Sequence, residues 1–136
     1  MRKLLSVARW RAALLGVTGS FVGVAPTHNE ASPEYGLAAA AQEITQLFWL
    51  ADTASVCGWA SEGDAARFKQ FSVRFLSAHL PDRQRVALLS LVQGNGYEAR
   101  VKRAAQETAP DSCASQRWKT GWTAYRTAAE VHEAEF

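Results

Sequence analysis

Residues that build sheets are scarce in this chain. Isoleucine occurs once, and no sustained alternation of polar and apolar residues runs between turn signals, so strands have little support. Cysteine is almost as rare: Cys57 and Cys113 are the only two, without the Cys-x-x-Cys spacing of a redox catalyst or a zinc ribbon. None of the three histidines, His28, His79 and His132, has a second histidine or a cysteine three or four residues away. The spacing therefore asks for no metal site, and no cofactor is expected. Gly94-Asn95-Gly96 lacks the lysine and hydroxyl residue of a phosphate-binding loop. Long apolar runs are missing too. The apolar stretch near the N-terminus, Ala12 to Ala25, carries no charge and holds 14 residues, against about 20 for a membrane-spanning helix.

What is present divides unevenly along the chain. Arg2, Lys3, Arg9 and Arg11 precede that apolar stretch, an order that matches a signal peptide and predicts export to a periplasmic or extracellular compartment. An uncleaved N-terminal membrane anchor is the alternative. Residues 1–31 are accordingly read as signal peptide and processing region, and 32–136 as a single domain with no transmembrane span. Residues 32–136 carry 11 basic and 12 acidic side chains, and their densest basic run, Arg100, Lys102 and Arg103, spreads around a helix instead of forming a stripe. Nucleic acid is not an expected partner.

Within 32–136 the apolar residues recur at intervals of three and four. Ser32-Pro33 reads as a helix start, and Ala41, Ile44, Leu47, Phe48, Ala51 and Ser55 form the buried stripe of a first helix ending near Cys57-Gly58. Ser61 followed by Asp64 is a capping pattern for a second helix, with Phe68, Phe71, Phe75, Leu76 and Leu80 inward until Pro81 stops it. Asp82 is the expected cap of a third. Val86, Leu89, Gln93, Gly96, Tyr97, Val101 and Ala104 keep roughly one face across the glycines, which predicts one continuous helix from about 83 to 107, kinked at Gly94-Asn95-Gly96. Asp111 or Ser112 caps the fourth, whose face is Ala114, Trp118, Gly121, Trp122, Tyr125, Ala128 and Ala129. The expected fold class is all-α, a small antiparallel up-down four-helix bundle. In that topology Cys57 and Cys113 fall at the same end and form a disulfide.

Candidate functional residues follow from the same topology. Asp52, Trp59, Tyr97, Arg100, Trp118 and Trp122 fall at or near the disulfide end, and tryptophan, tyrosine and arginine dominate interface hot spots. Asp52 and Arg100, both beside apolar faces, are expected to pair, because a buried charge needs a partner. Glu62, Asp64, Asp82 and Asp111 have capping or helix-start roles, Glu130, Glu133 and Glu135 read as a solvated tail, and His79 as a half-buried residue at the end of the second helix. The expectation is a non-catalytic exported binding protein that inhibits or assists another envelope protein. A small-ligand carrier is the alternative, and a small enzyme built on Asp52 and Arg100 is the weakest reading. N-terminal sequencing of the native protein should begin between about residues 26 and 38; an intact Met1 in a soluble cytosolic fraction would contradict export.

Overall fold

The computed structural model describes residues 33–133, with side chains from residue 36 onward. The expected signal segment 1–31, His28 and the capping role of Ser32 lie outside the described residues. The described chain is all-α but contains five helices instead of the expected four: α1 Pro33–Val56, α2 Glu62–Ser77, α3 Asp82–Gln93, α4 Tyr97–Cys113 and α5 Gln116–Glu133.

α1 is the centre of the molecule. The apolar stripe read from the sequence is there, with Ile44, Leu47, Phe48 and Ala51 buried, but Leu50, Ala51, Asp52, Thr53 and Ala54 are buried in succession. At about 3.6 residues per turn, five consecutive residues sweep past a full circle. This part of the helix has no solvent face, and α1 packs against all four others. Its end is fixed by Gly58, whose φ of +77° admits the left-handed conformation. The Trp59 amide then donates to the Ala54 carbonyl at 2.8 Å and the Gly58 amide to the Ser55 carbonyl at 3.2 Å, a Schellman closure. α2 opens as the sequence indicates, with Ser61 accepting from the Asp64 amide at 3.0 Å, and it buries Phe68, Phe71 and Phe75.

The continuous third helix is the main correction. Gly94 is extended, with ψ 156°, and Gly96 sits at φ 79°, so the helix stops at Gln93 and restarts at Tyr97. Glycine adopts these conformations at no steric cost, whereas continuing the helix through two glycines carries an entropic penalty. The break also changes which residues face inward. α3 buries Leu88 and Val92, α4 buries Tyr97, Val101, Ala105 and Ala109, and Val86 is left 63 % exposed.

The break does not reverse the chain. Thr45 of α1 meets Tyr97 at the start of α4, with the two hydroxyls 2.6 Å apart, and Cys57 meets Cys113 at the far end, with a Cα separation of 5.2 Å. α1 and α4 therefore run parallel. Phe68 packs on Trp122 and Phe75 on His132, so α5 runs with α2. The disulfide inferred from a continuous third helix forms without one, because the chain keeps climbing after the glycines. Closing a loop of this length, with Cys57 and Cys113 separated by 56 positions, stabilises a fold by about 4 kcal/mol on the chain-entropy estimate.

Two expected boundaries also move. α4 continues through Pro110 to Cys113, so Asp111 and Ser112 end that helix instead of opening the last. Pro110 has no N–H to donate to the Gln106 carbonyl, so the ladder loses one bond just before the helix ends. Ser115 caps α5 by accepting from the Trp118 amide at 3.3 Å, and Ala114 belongs to the connection. Asp82 is the first residue of α3 and pairs with Arg85 at 3.2 Å, while Pro81 holds the cap position.

Gly96→Ala should cost about 1–2 kcal/mol, because a β-carbon opposes positive φ. Gly63→Ala in α2, whose added carbon would meet only Ser61 Oγ at 3.8 Å, should instead stabilise by roughly 0.5 kcal/mol. Urea unfolding midpoints of the two variants should move in opposite directions.

Candidate functional site

α2 and α4 both lean on α1, and a long open groove of about 1180 Å³ runs between them. Its floor is α1, through Phe48, Asp52 and Ser55, and Ala65, Ala66 and Ala99 line its walls with small side chains. The α3–α4 break closes one end with Val92, Gly94 and Gly96.

The floor holds a sequestered ion pair. Lys69 Nζ lies 2.5 Å from Asp52 Oδ1, with side chains 12 % and 6 % exposed. Lys69 reaches this position by laying its stem along the apolar wall, which brings its ammonium 5.4 Å from the centroid of the Phe48 ring. Glu98 stands 4.0 Å from the same ammonium at the rim. The second Asp52 oxygen, Oδ2, is buried without a hydrogen-bond partner. The pair expected between Asp52 and Arg100 is therefore not made. Arg100 points outward and donates to the Asn95 carbonyl at 3.2 Å, because the turn at Gly96 rotates α4 away from the register a continuous helix would have had.

A second hollow, of about 450 Å³, lies beside the disulfide end and is bounded by Gly58, Trp59, Lys119, Trp122, Arg126 and Glu130. The Schellman closure turns Trp59 back over this hollow, and the Ser115 cap sets the phase of α5. Trp122 is 2 % exposed and packs edge-on against Phe68, with ring centroids 5.0 Å apart. Its Nε1–H is buried without an acceptor. Arg126 pairs with Glu130 at 3.3 Å, whereas Lys119 has no ion-pair partner among the described residues.

The six residues singled out in the sequence are thus divided. Trp59 and Trp122 come together at the second hollow, and Asp52 lies on the floor of the groove. Trp118 is half-buried and packs edge-on against Trp49 at 4.9 Å, a partner the sequence reading did not single out. Tyr97 is interior, against Phe48 and Thr45, far along the bundle from the disulfide. Burial pushes its hydroxyl above the ordinary tyrosine range, partly offset by the Thr45 hydrogen bond. Burial also raises Tyr125, with Glu43 adding to the effect. Both hydroxyls therefore stay neutral through physiological pH, and their ionisation would oppose folding only in strong alkali.

Lys69, the other half of the central ion pair, was missed. It sits about 125° from the centre of the phenylalanine face of α2 at 3.6 residues per turn, where periodicity gives no hint of burial. His132, read as lying near a loose end, is buried and stacked on Phe75 at 5.3 Å. His79 is exposed, edge-on to the same ring at 5.2 Å. Glu133, read as solvated tail, holds Arg67 at 2.9 Å and Arg74 at 3.8 Å.

Among the described residues, no group of three or more His, Cys, Asp or Glu is placed to hold a metal ion, and no helix is long and apolar enough to cross a membrane. No protein-family model, curated protein or solved structure matches the chain.

Lys69→Met should destabilise the protein by about 3 kcal/mol, because it strands the buried Asp52 carboxylate, whereas pairing it with Asp52→Leu should recover most of the loss. A double-mutant cycle in urea measures this; additive losses would show that the two charges do not depend on each other.

Proposed function

We propose that this chain is an exported, non-catalytic binding protein that inhibits or assists another protein of the cell envelope by taking an amphipathic helix of that protein into the groove between α2 and α4. The groove itself carries the reading. A helix about 10 Å across fills about 120 Å³ per residue, so 1180 Å³ corresponds to about three turns. The walls suit such a guest. Alanines allow close approach of a helix backbone, while Val73 and Leu89 offer apolar surface flanked by Arg74, Glu98 and Lys102, the arrangement of helix-in-groove recognition. The Cys57–Cys113 bridge fits an oxidising compartment, and the basic-then-apolar start of the chain agrees with export.

Ala66→Trp and Ala99→Trp should each fill the groove and weaken partner binding at least tenfold, while Ala124→Trp on α5 should bind as the parent does. The partner is first captured from a native envelope extract, then titrated against each variant, with circular dichroism confirming helix content. Equal affinities from three folded variants would exclude the groove as the binding site.

A further inference from the structure

α3 presents a surface that neither the core nor the groove uses. From Val86 to Tyr97 the chain carries no charge, although only Leu88 and Val92 of α3 are buried. At about 100° per residue, Val86, Ala87, Ser90 and Leu91 fall on the side opposite that buried pair, and all four are exposed. Val86 and Leu91, 63 % and 41 % exposed, are two of the four large apolar side chains left exposed among the described residues. None of the four residues of this face lines the groove, which α3 borders through Leu89, Val92 and Gln93. Contiguous apolar surface of this kind marks a place where another molecule packs.

The charges at the two ends of the face identify the occupant. At the start, the Asp82 carboxylate is 94 % exposed and meets Arg85 through Oδ1 alone, and Arg83 is exposed with no ion-pair partner among the described residues. At the end, the Arg100 guanidinium folds back to the Asn95 carbonyl at 3.2 Å, which places a cation just beyond the last turn of α3. That last turn itself carries partial negative charge on its carbonyls. Laid antiparallel against a second copy and centred on Leu88 and Leu89, α3 sets Val86 level with Leu91, Ala87 level with Ser90, and Asp82 level with Asn95, whose carbonyl holds Arg100. Asp82 then lies beside the Arg100 of the second copy, and Arg83 against the negative end of that copy's α3. A two-fold axis makes each of these contacts twice, the self-complementarity that a symmetric interface requires.

We propose that the outward face of α3 is the interface of a homodimer in which the α3 helices of two copies pack antiparallel about a two-fold axis. Residues 32–136 carry 11 basic and 12 acidic side chains, so two copies have little net charge with which to repel each other. The 12 residues of α3 span about 18 Å. The contact is therefore at the small end of interface sizes, and the dimer is weak, with a Kd on the order of 10–100 µM.

Sedimentation equilibrium of the full chain, from about 1 µM to about 0.5 mM, should follow a monomer–dimer equilibrium. Val86→Glu and Leu91→Glu should each raise the dimer Kd at least tenfold. Both side chains are exposed, so neither change should alter the circular dichroism spectrum. Asp82→Arg and Arg100→Glu should each weaken the dimer about fivefold by setting like charges together, while the double exchange should return it to within about twofold of the parent. Ala66→Trp, which fills the groove, should dimerise as the parent does. The proposal is overturned if the parent stays monomeric at about 0.5 mM, if Val86→Glu and Leu91→Glu dimerise as well as the parent, or if the two charge reversals add instead of cancelling. Loss of the dimer in Ala66→Trp also overturns it, since the copies would then be docking through the groove.

Discussion

Everything else in the structure depends on the enclosure of α1 around Leu50 to Ala54, where five residues in succession are buried. A helical segment without a solvent face cannot be stabilised by one neighbour, and each of Ile44, Leu47 and Phe48, nearly withdrawn from water, contributes about 1.5–3 kcal/mol only when the surrounding walls are complete. The other four helices are arranged to provide those walls. α2 brings phenylalanines to one side, α4 runs parallel along another, and α3 and α5 close what remains. The same arrangement leaves the groove, because α2 and α4 each reach α1 before they reach one another.

That enclosure also explains the ion pair. Asp52 lies within the run Leu50 to Ala54, where every position is interior, and a carboxylate there is tolerated only with a partner. Lys69 supplies it from the flank of α2, where that helix borders the groove. Two of the most enclosed charged residues of the protein therefore also line the groove.

Helix identity was legible in the sequence wherever a cap or an apolar period spoke for itself. Ser61 with Asp64, the three phenylalanines of α2, and the stop at Cys57-Gly58 all took their expected places. Gly94-Asn95-Gly96 was harder, because local turn chemistry argued against an apolar face that seemed to pass through it. The turn chemistry won, and the apparent face proved false, since Val86 is exposed and Leu88 is buried. The site was less legible still. Trp59 and Trp122 border the same hollow because one follows a Schellman turn and the other sits in phase with a serine cap, both local features. Lys69 and Arg100 owe their surroundings to how helices cross, and single-helix periodicity does not encode crossing.

The parallel run of α1 and α4 has a consequence for the order of events during synthesis. The most deeply enclosed helix is made before any of its neighbours, and the one that lines it at Tyr97, Val101 and Ala105 follows only after α2 and α3. A chain emerging from its N-terminal end must keep α1 unsatisfied while some forty further residues appear, a period in which exposed apolar surface favours aggregation. Cys57 waits through the same interval for Cys113, so oxidation records the arrival of α4 and ties it to α1 before α5 has been made.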